Sequence, residues 1–204
     1  DVAINSMKDL PGEMAEGLTL AAISKREGPR DCLISNDGKK LAELPKGSVV
    51  GTSSLRRQAQ TLAYRPDLIV EPVRGNIGTR LQKLREGQFD AILLAAAGLH
   101  RVGWENLITE YLDVDVLLPA VGQGALGIQC RSDDTEVISV LEGLNDPDTA
   151  FAVTAERAFL KRLDGDCQVP VGAFGVVHHG RSVSLTGLVA EPRAKHVYRH
   201  SASG

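Results

Sequence analysis

The run Ala91-Ile92-Leu93-Leu94-Ala95-Ala96-Ala97 constrains the fold of this chain more than any other stretch. It is apolar without alternation, the pattern of a strand buried on both faces, and such a strand needs cover on two sides. The preceding sequence supplies it. The pattern predicts strand 32–35, a helical turn at 41–44, strand 48–51, helix 54–64, strand 68–72 and helix 77–86, the last with Ile77, Leu81 and Leu84 at helical spacing. Strand and helix in turn predict a mostly parallel α/β sheet.

Such sheets bind ligands at the carboxyl ends of their strands. Two turns with the same construction are expected there. Gly51-Thr52-Ser53-Ser54-Leu55-Arg56-Arg57 joins a strand to a helix, and Arg74-Gly75-Asn76-Ile77-Gly78-Thr79-Arg80 does so again. Backbone N–H groups at a helix start, hydroxyl donors and guanidinium groups together make an anion receptor. Taken alone, the first turn reads equally as a Ser-capped helix with two solvated arginines. Arg101, after the buried strand, joins the same rim; its neighbour His100 reads as a surface residue beside a glycine turn.

The opening 2–5 is a short strand running into Ser6-Met7-Lys8-Asp9-Leu10-Pro11, which places Lys8 and Asp9 at a strand end. A second strand, 18–23, precedes the charged crossing 25–31. Trp104 to Tyr111 can form a short helix. Gly122-Gln123-Gly124 precedes a strand and not a helix, so it is not a nucleotide-binding fingerprint. Helices are expected at 133–144 and from Pro147 to about 163, with Glu156, Arg157, Lys161 and Arg162 on a solvated face. A turn carrying Cys167 and an antiparallel tail with a hairpin at His179-Gly180 follow. The chain has no initiating Met and reads as beginning inside a domain and ending on an open sheet.

With 204 residues, 43% hydrophobic, the chain is long enough for more than one core. A net charge of −3 with no basic block, and 4% aromatic residues, argue against nucleic acid as a partner. No apolar stretch reaches membrane-span length. Three scattered cysteines, Cys32, Cys130 and Cys167, show neither a disulfide framework nor metal-ligand spacing. The expectation is a soluble cytoplasmic monomer with reduced thiols and no metal.

Taken together, Ser6-Met7-Lys8-Asp9-Leu10-Pro11, the Gly51–Arg57 turn, Arg74-Gly75-Asn76 with Thr79-Arg80, Leu118-Pro119-Ala120-Val121-Gly122-Gln123-Gly124-Ala125 and Cys167-Gln168-Val169-Pro170 resemble, in order, the signature segments of the porphobilinogen deaminase (hydroxymethylbilane synthase) family. Asn5 departs from the histidine usual there in the family. The resemblance implies an α/β architecture of two periplasmic-binding-protein-like domains, the first incomplete, and a small α+β domain. The corresponding ranges are 1–27 with 122–145, 28–121, and 146–204.

The resemblance further implies a dipyrromethane cofactor joined by a thioether to Cys167, on which four porphobilinogen molecules are condensed with loss of ammonia and released as hydroxymethylbilane. It carries the catalytic role to Asp9, whose carboxylate would stabilise an azafulvene-like cation and move protons. Lys8, Ser6, Thr52, Ser53, Ser54, Arg56, Arg57 and Asn76 become cofactor-binding, and Arg74, Arg80 and Arg101 substrate-binding. Pyrrole acetates and propionates need such cationic anchors. A receptor for a small carboxylated ligand is the competing class, since an arginine-lined cleft between α/β units would serve it equally.

Overall fold

The computed structural model describes residues 2–163, 169–178, 182–191 and 196–204. The described residues form three sheets. The first joins β1 (Val2–Ser6) and β2 (Leu18–Ile23) to β8 (Leu126–Arg131), which lies between them and runs antiparallel to both. The start of the sequence is thereby stitched to a segment more than 100 residues on, and the chain crosses out of the sheet and back.

Between those crossings lies a five-stranded sheet, ordered β5-β4-β6-β3-β7. Its strands are β3 (Asp31–Ser35), β4 (Val49–Gly51), β5 (Ile69–Glu71), β6 (Ala91–Ala95) and β7 (Glu110–Tyr111). Helices α1 (Leu55–Tyr64) and α2 (Ile77–Arg85) provide the crossovers. Strand β6 is buried on both faces as its composition predicts. Ile92 and Leu94 pack with Leu81, Leu84 and Leu99 on one side, and Ala91 and Leu93 pack with Leu41, Val50 and Leu117 on the other.

Three expectations are corrected. The sheet is mixed, because β4 runs parallel to β5 and β6 whereas β3 pairs antiparallel with both β6 and β7. The crossing from the first sheet delivers the chain directly to the rim, so β3 starts where β4 and β6 end. The alanine-rich run stops being strand at Ala95, and Ala96–His100 form α3, in keeping with alanine's helical preference. Trp104 to Tyr111 is not a helix: a 3-10 turn at Glu105–Leu107 leads into β7, whose pairing with β3 decides the conformation.

After β8 come α4 (Thr135–Glu142) and α5 (Pro147–Arg162), capped by Asp134 and Asp146, with Pro147 opening α5. The third sheet has β10 (Ser182–Ala190) between β9 (Val171–His178) and β11 (Val197–Ser203), antiparallel throughout. The hairpin expected at His179-Gly180 lies outside the described residues. Glycines let α5 lie close on this sheet: a side chain at Gly175 would press on Ala152, and one at Gly187 on the Phe159 ring. On the opposite side Leu188 and Ala190 pack with Ala59 of α1, so the third sheet also rests on the five-stranded unit.

Candidate anion-binding cleft

Strand β4 ends at Gly51 and the chain turns through Thr52-Ser53-Ser54 into α1. Ser54 caps the helix, its side chain accepting from the Arg57 N–H, as the capping alternative anticipates. Ser53 Oγ donates to Val73 O at 2.8 Å, which ties the first arginine turn to the start of the second. Thr52 is buried and its hydroxyl accepts from Ser54 N. It serves the turn itself.

The two arginines are not solvated. Both are buried, and both converge on Asp31, the first residue of β3, which has no exposed surface. Arg56 Nη1 donates to Asp31 Oδ2 at 2.7 Å, while Arg57 donates to Oδ1 through Nε at 3.0 Å and Nη2 at 2.8 Å. Gln123 Nε2 adds a fourth donor at 3.0 Å. Burial by itself would raise the Asp31 pKa, but the adjacent guanidinium groups outweigh it and hold the carboxyl well below the usual carboxylate range. Burial lowers the pKa of Arg56, opposed by Asp31. One carboxylate between two guanidiniums leaves a surplus of positive charge fixed in position.

Lys8 and Asp9 occupy a 3-10 turn at the end of β1, anchored by the buried Met7, whose N–H donates to Ala125 O. Gly122 is required beneath it: its φ is +70°, and a Cβ there would come within 2.7 Å of the Met7 Cβ. Lys8, Asp9, Ser53, Ser54, Arg56 and Arg57 line one cleft, of about 560 Å³. Lys8 keeps an exposed face, yet the surrounding protein strips away much of its hydration and Arg57 repels its charge, so its ammonium is held below the ordinary lysine range.

The remaining predicted residues lie outside the cleft wall. Ser6 ends β1, and Asn76 is occupied as the cap of α2, accepting from Thr79 N and Oγ1. Arg74 is exposed. Arg80 donates through Nε to Gly75 O at 2.8 Å; burial and the Arg57 charge lower its pKa. Arg101 Nη2 donates to Gly124 O at 2.7 Å, bracing the returning crossing. Cys167 lies outside the described residues, although Val169 and Val171, just beyond it in sequence, line the cleft.

Sequence reasoning missed three features. Glu156 is buried, not solvated: Oε1 accepts from Arg26 Nη1 at 2.6 Å and Gly175 N at 2.8 Å, and Oε2 accepts from Gly122 N at 2.7 Å. It joins both crossings to the third sheet. Arg157, its neighbour, faces the cleft and is only half-exposed. His100 has a carboxylate and a hydroxyl at hand, with Nδ1 3.0 Å from Glu27 Oε1 and Nε2 2.8 Å from Tyr111 Oη. The alternation of apolar residues carries no signal for any of these partners, which come from distant segments.

Fold and cleft together define an α/β protein that, among its described residues, gathers fixed cations and the exposed acid Asp9 around one cleft. Residues 1–139 match the family model described as porphobilinogen deaminase, dipyromethane cofactor binding domain, and residues 150–204 match porphobilinogen deaminase, C-terminal domain. Curated porphobilinogen deaminases are similar over the whole chain: that of Brevibacillus brevis is 54% identical and that of Paenibacillus macerans 61% identical. The chain belongs to the porphobilinogen deaminase family. It spans 66% of the length of the first relative and 64% of the second. Among solved structures, a putative methionine-binding lipoprotein from Bacillus subtilis aligns over 65% of this chain and 63% of its own, at 14% identity and a TM-score of 0.44.

Proposed function

We propose that the protein containing this chain deaminates four porphobilinogen molecules and joins them head to tail, releasing hydroxymethylbilane for tetrapyrrole (haem) biosynthesis. The observation that carries the reading is the shared cleft of Asp9, Lys8 and the Arg56-Arg57 pair. Segments 1–27 with 122–145, 28–121 and 146–204 are taken as its three domains. The free, buried thiols of Cys32 and Cys130 suit a reducing cytoplasm, and a monomer is the assembly we assume.

The residues fit a dipyrromethane attached at Cys167. Its carboxylates would meet Lys8, Arg56 and Arg57, whose positive charge exceeds that of the Asp31 counterion. Gln123 Oε1, buried in the cleft wall with no partner among the described residues, is an acceptor suited to a pyrrole N–H. When bound, the group supplies the carbon nucleophile on which the product is built.

The chain's own residues divide the remaining work. Lys8 and the arginines orient the acetate and propionate groups by charge-assisted hydrogen bonds. The Asp9 carboxylate stabilises positive charge as ammonia departs from porphobilinogen, and an Asp9 Oδ atom accepts the ring proton lost after bond formation.

The test is turnover by the full-length protein. Wild type is expected to consume porphobilinogen with release of ammonia, and Asp9→Asn to remain folded while slowing by about 10²- to 10⁴-fold. A wild-type protein that binds porphobilinogen without consuming it would instead be a receptor. Colour with acidic dimethylaminobenzaldehyde before any substrate is added reports a resident dipyrromethane, and intact mass of Cys167→Ser should lack the corresponding increment.

A further inference from the structure

Arg157 projects from α5 into the wall of the cleft that holds Lys8 and Asp9. Its Nη2 donates to two backbone carbonyls, Pro11 O at 2.6 Å and Gly12 O at 3.0 Å, immediately beyond the Asp9 turn. Among the described residues its Nε and Nη1 have no partner, and no carboxylate pairs with it. The helix beneath it is firmly placed, since the preceding Glu156 is bound by Arg26, Gly122 and Gly175. One turn on, Leu160 lines the same cleft and Lys161 pairs with Glu13 at 2.8 Å.

A half-buried guanidinium with no counterion among the described residues is an unfavourable thing to leave in a protein wall. Burial lowers its pKa, and no acid among the described residues opposes the shift. A clamp on two carbonyls does not require this arrangement, because a lysine ammonium could donate to both. Nη2 alone takes both carbonyls, which leaves the Nε and Nη1 donors of the same rigid, permanently charged plane for a carboxylate, whereas a lysine ammonium is a point charge on a flexible stem.

We infer that Arg157 is a further anchor for a ligand carboxylate, carried into the cleft by α5, and that it fixes the Pro11-Gly12 backbone beside Asp9 at the same time. The inference rests on the proposed function, which supplies the ligand class: a pyrrole bearing acetate and propionate arms. The sequence segment that leads to Cys167 and the acid that handles protons would then be coupled through one side chain.

The probe is a pyrrole diacid with the acetate and propionate arms but no aminomethyl group, which cannot be deaminated. Its Kd for the full-length protein is measured by calorimetry for wild type, Arg157→Gln and Arg157→Lys, with thermal midpoints recorded separately. Arg157→Gln is expected to bind about tenfold or more weakly, and Arg157→Lys to fall between it and wild type. Wild-type affinity in either folded variant overturns the inference, even where the thermal midpoint has dropped. Failure of wild type to bind the diacid or to consume porphobilinogen overturns the functional reading as well, whereas wild-type turnover with unaffected variants overturns this inference alone.

Discussion

Asp31 Oδ1 accepts two hydrogen bonds from Arg57, from Nε at 3.0 Å and from Nη2 at 2.8 Å, while Oδ2 takes Arg56 Nη1. This pairing explains how adjacent arginines can be buried in a helix start and still present charge to a ligand. Asp31 offsets one positive charge and fixes both forks; the second charge remains available. Arg56 also donates to Leu118 O and Arg57 to Leu93 O, so the pair is braced by backbone on two sides.

Removing the counterion should therefore damage the fold before it damages binding. Asp31→Asn leaves two buried guanidiniums facing a neutral amide, and loss of one partner in a buried ion pair costs roughly 3–5 kcal/mol. Urea unfolding of the full-length protein is expected to show a midpoint lowered accordingly, with unchanged slope. A midpoint equal to wild type would mean that Asp31 is dispensable to the arginine geometry.

The same residue sets an acid limit. Its folded pKa is depressed below the ordinary value of 3.8, so the folded state holds its proton more weakly than the unfolded state does. The stabilisation is fully present above the unfolded value and is lost as pH falls through the folded one. Unfolding free energies of wild type and Asp31→Asn, measured at falling pH below about 4, should converge. A constant gap would assign the stabilisation to something other than ionisation.

Glu156 makes a second buried centre, and its partners come from three separate parts of the chain: Arg26, Gly122 and Gly175. Arg26 also stacks over the Phe174 ring at 5.1 Å. Glu156→Gln keeps the shape but leaves Arg26 without its counterion and turns an amide group toward backbone donors. A loss of roughly 3–5 kcal/mol is expected on breaking this pair. Limited proteolysis should show earlier cleavage between the third sheet and the remainder; wild-type resistance would remove Glu156 from the joint.

These two acids mark the boundary of what the sequence discloses. The β6 run and the Ser54 and Asn76 turns are legible because local pattern and capping chemistry determine them. The cleft residues Lys8, Asp9 and Ser53 to Arg57 stand out through turn context and their family resemblance. Asp31 is hidden in a charged crossing, since its partnership depends on β3 entering antiparallel at the rim. Glu156 and Arg157 look like one solvated face of α5, although a crossing segment covers the first and the cleft receives the second. Sequence periodicity reports that a helix has two faces, not what a distant segment will place against them.

Lys8 offers a pH signature that belongs to the cleft and not to global stability. Burial first, and repulsion by Arg57 second, lower its pKa from 10.5, with Asp9 and Asp31 acting in the opposite direction. A bound carboxylate favours the ammonium, so ligand binding should raise that pKa and take up a proton at alkaline pH. Affinity for the unreactive pyrrole diacid is therefore expected to fall as pH rises through the lowered Lys8 value, before ordinary lysines titrate. Lys8→Arg keeps the positive charge with a group that does not titrate there, and should flatten this limb of the profile. An alkaline limb that persists unchanged in Lys8→Arg would move its origin to another group and remove Lys8 from contact with the ligand.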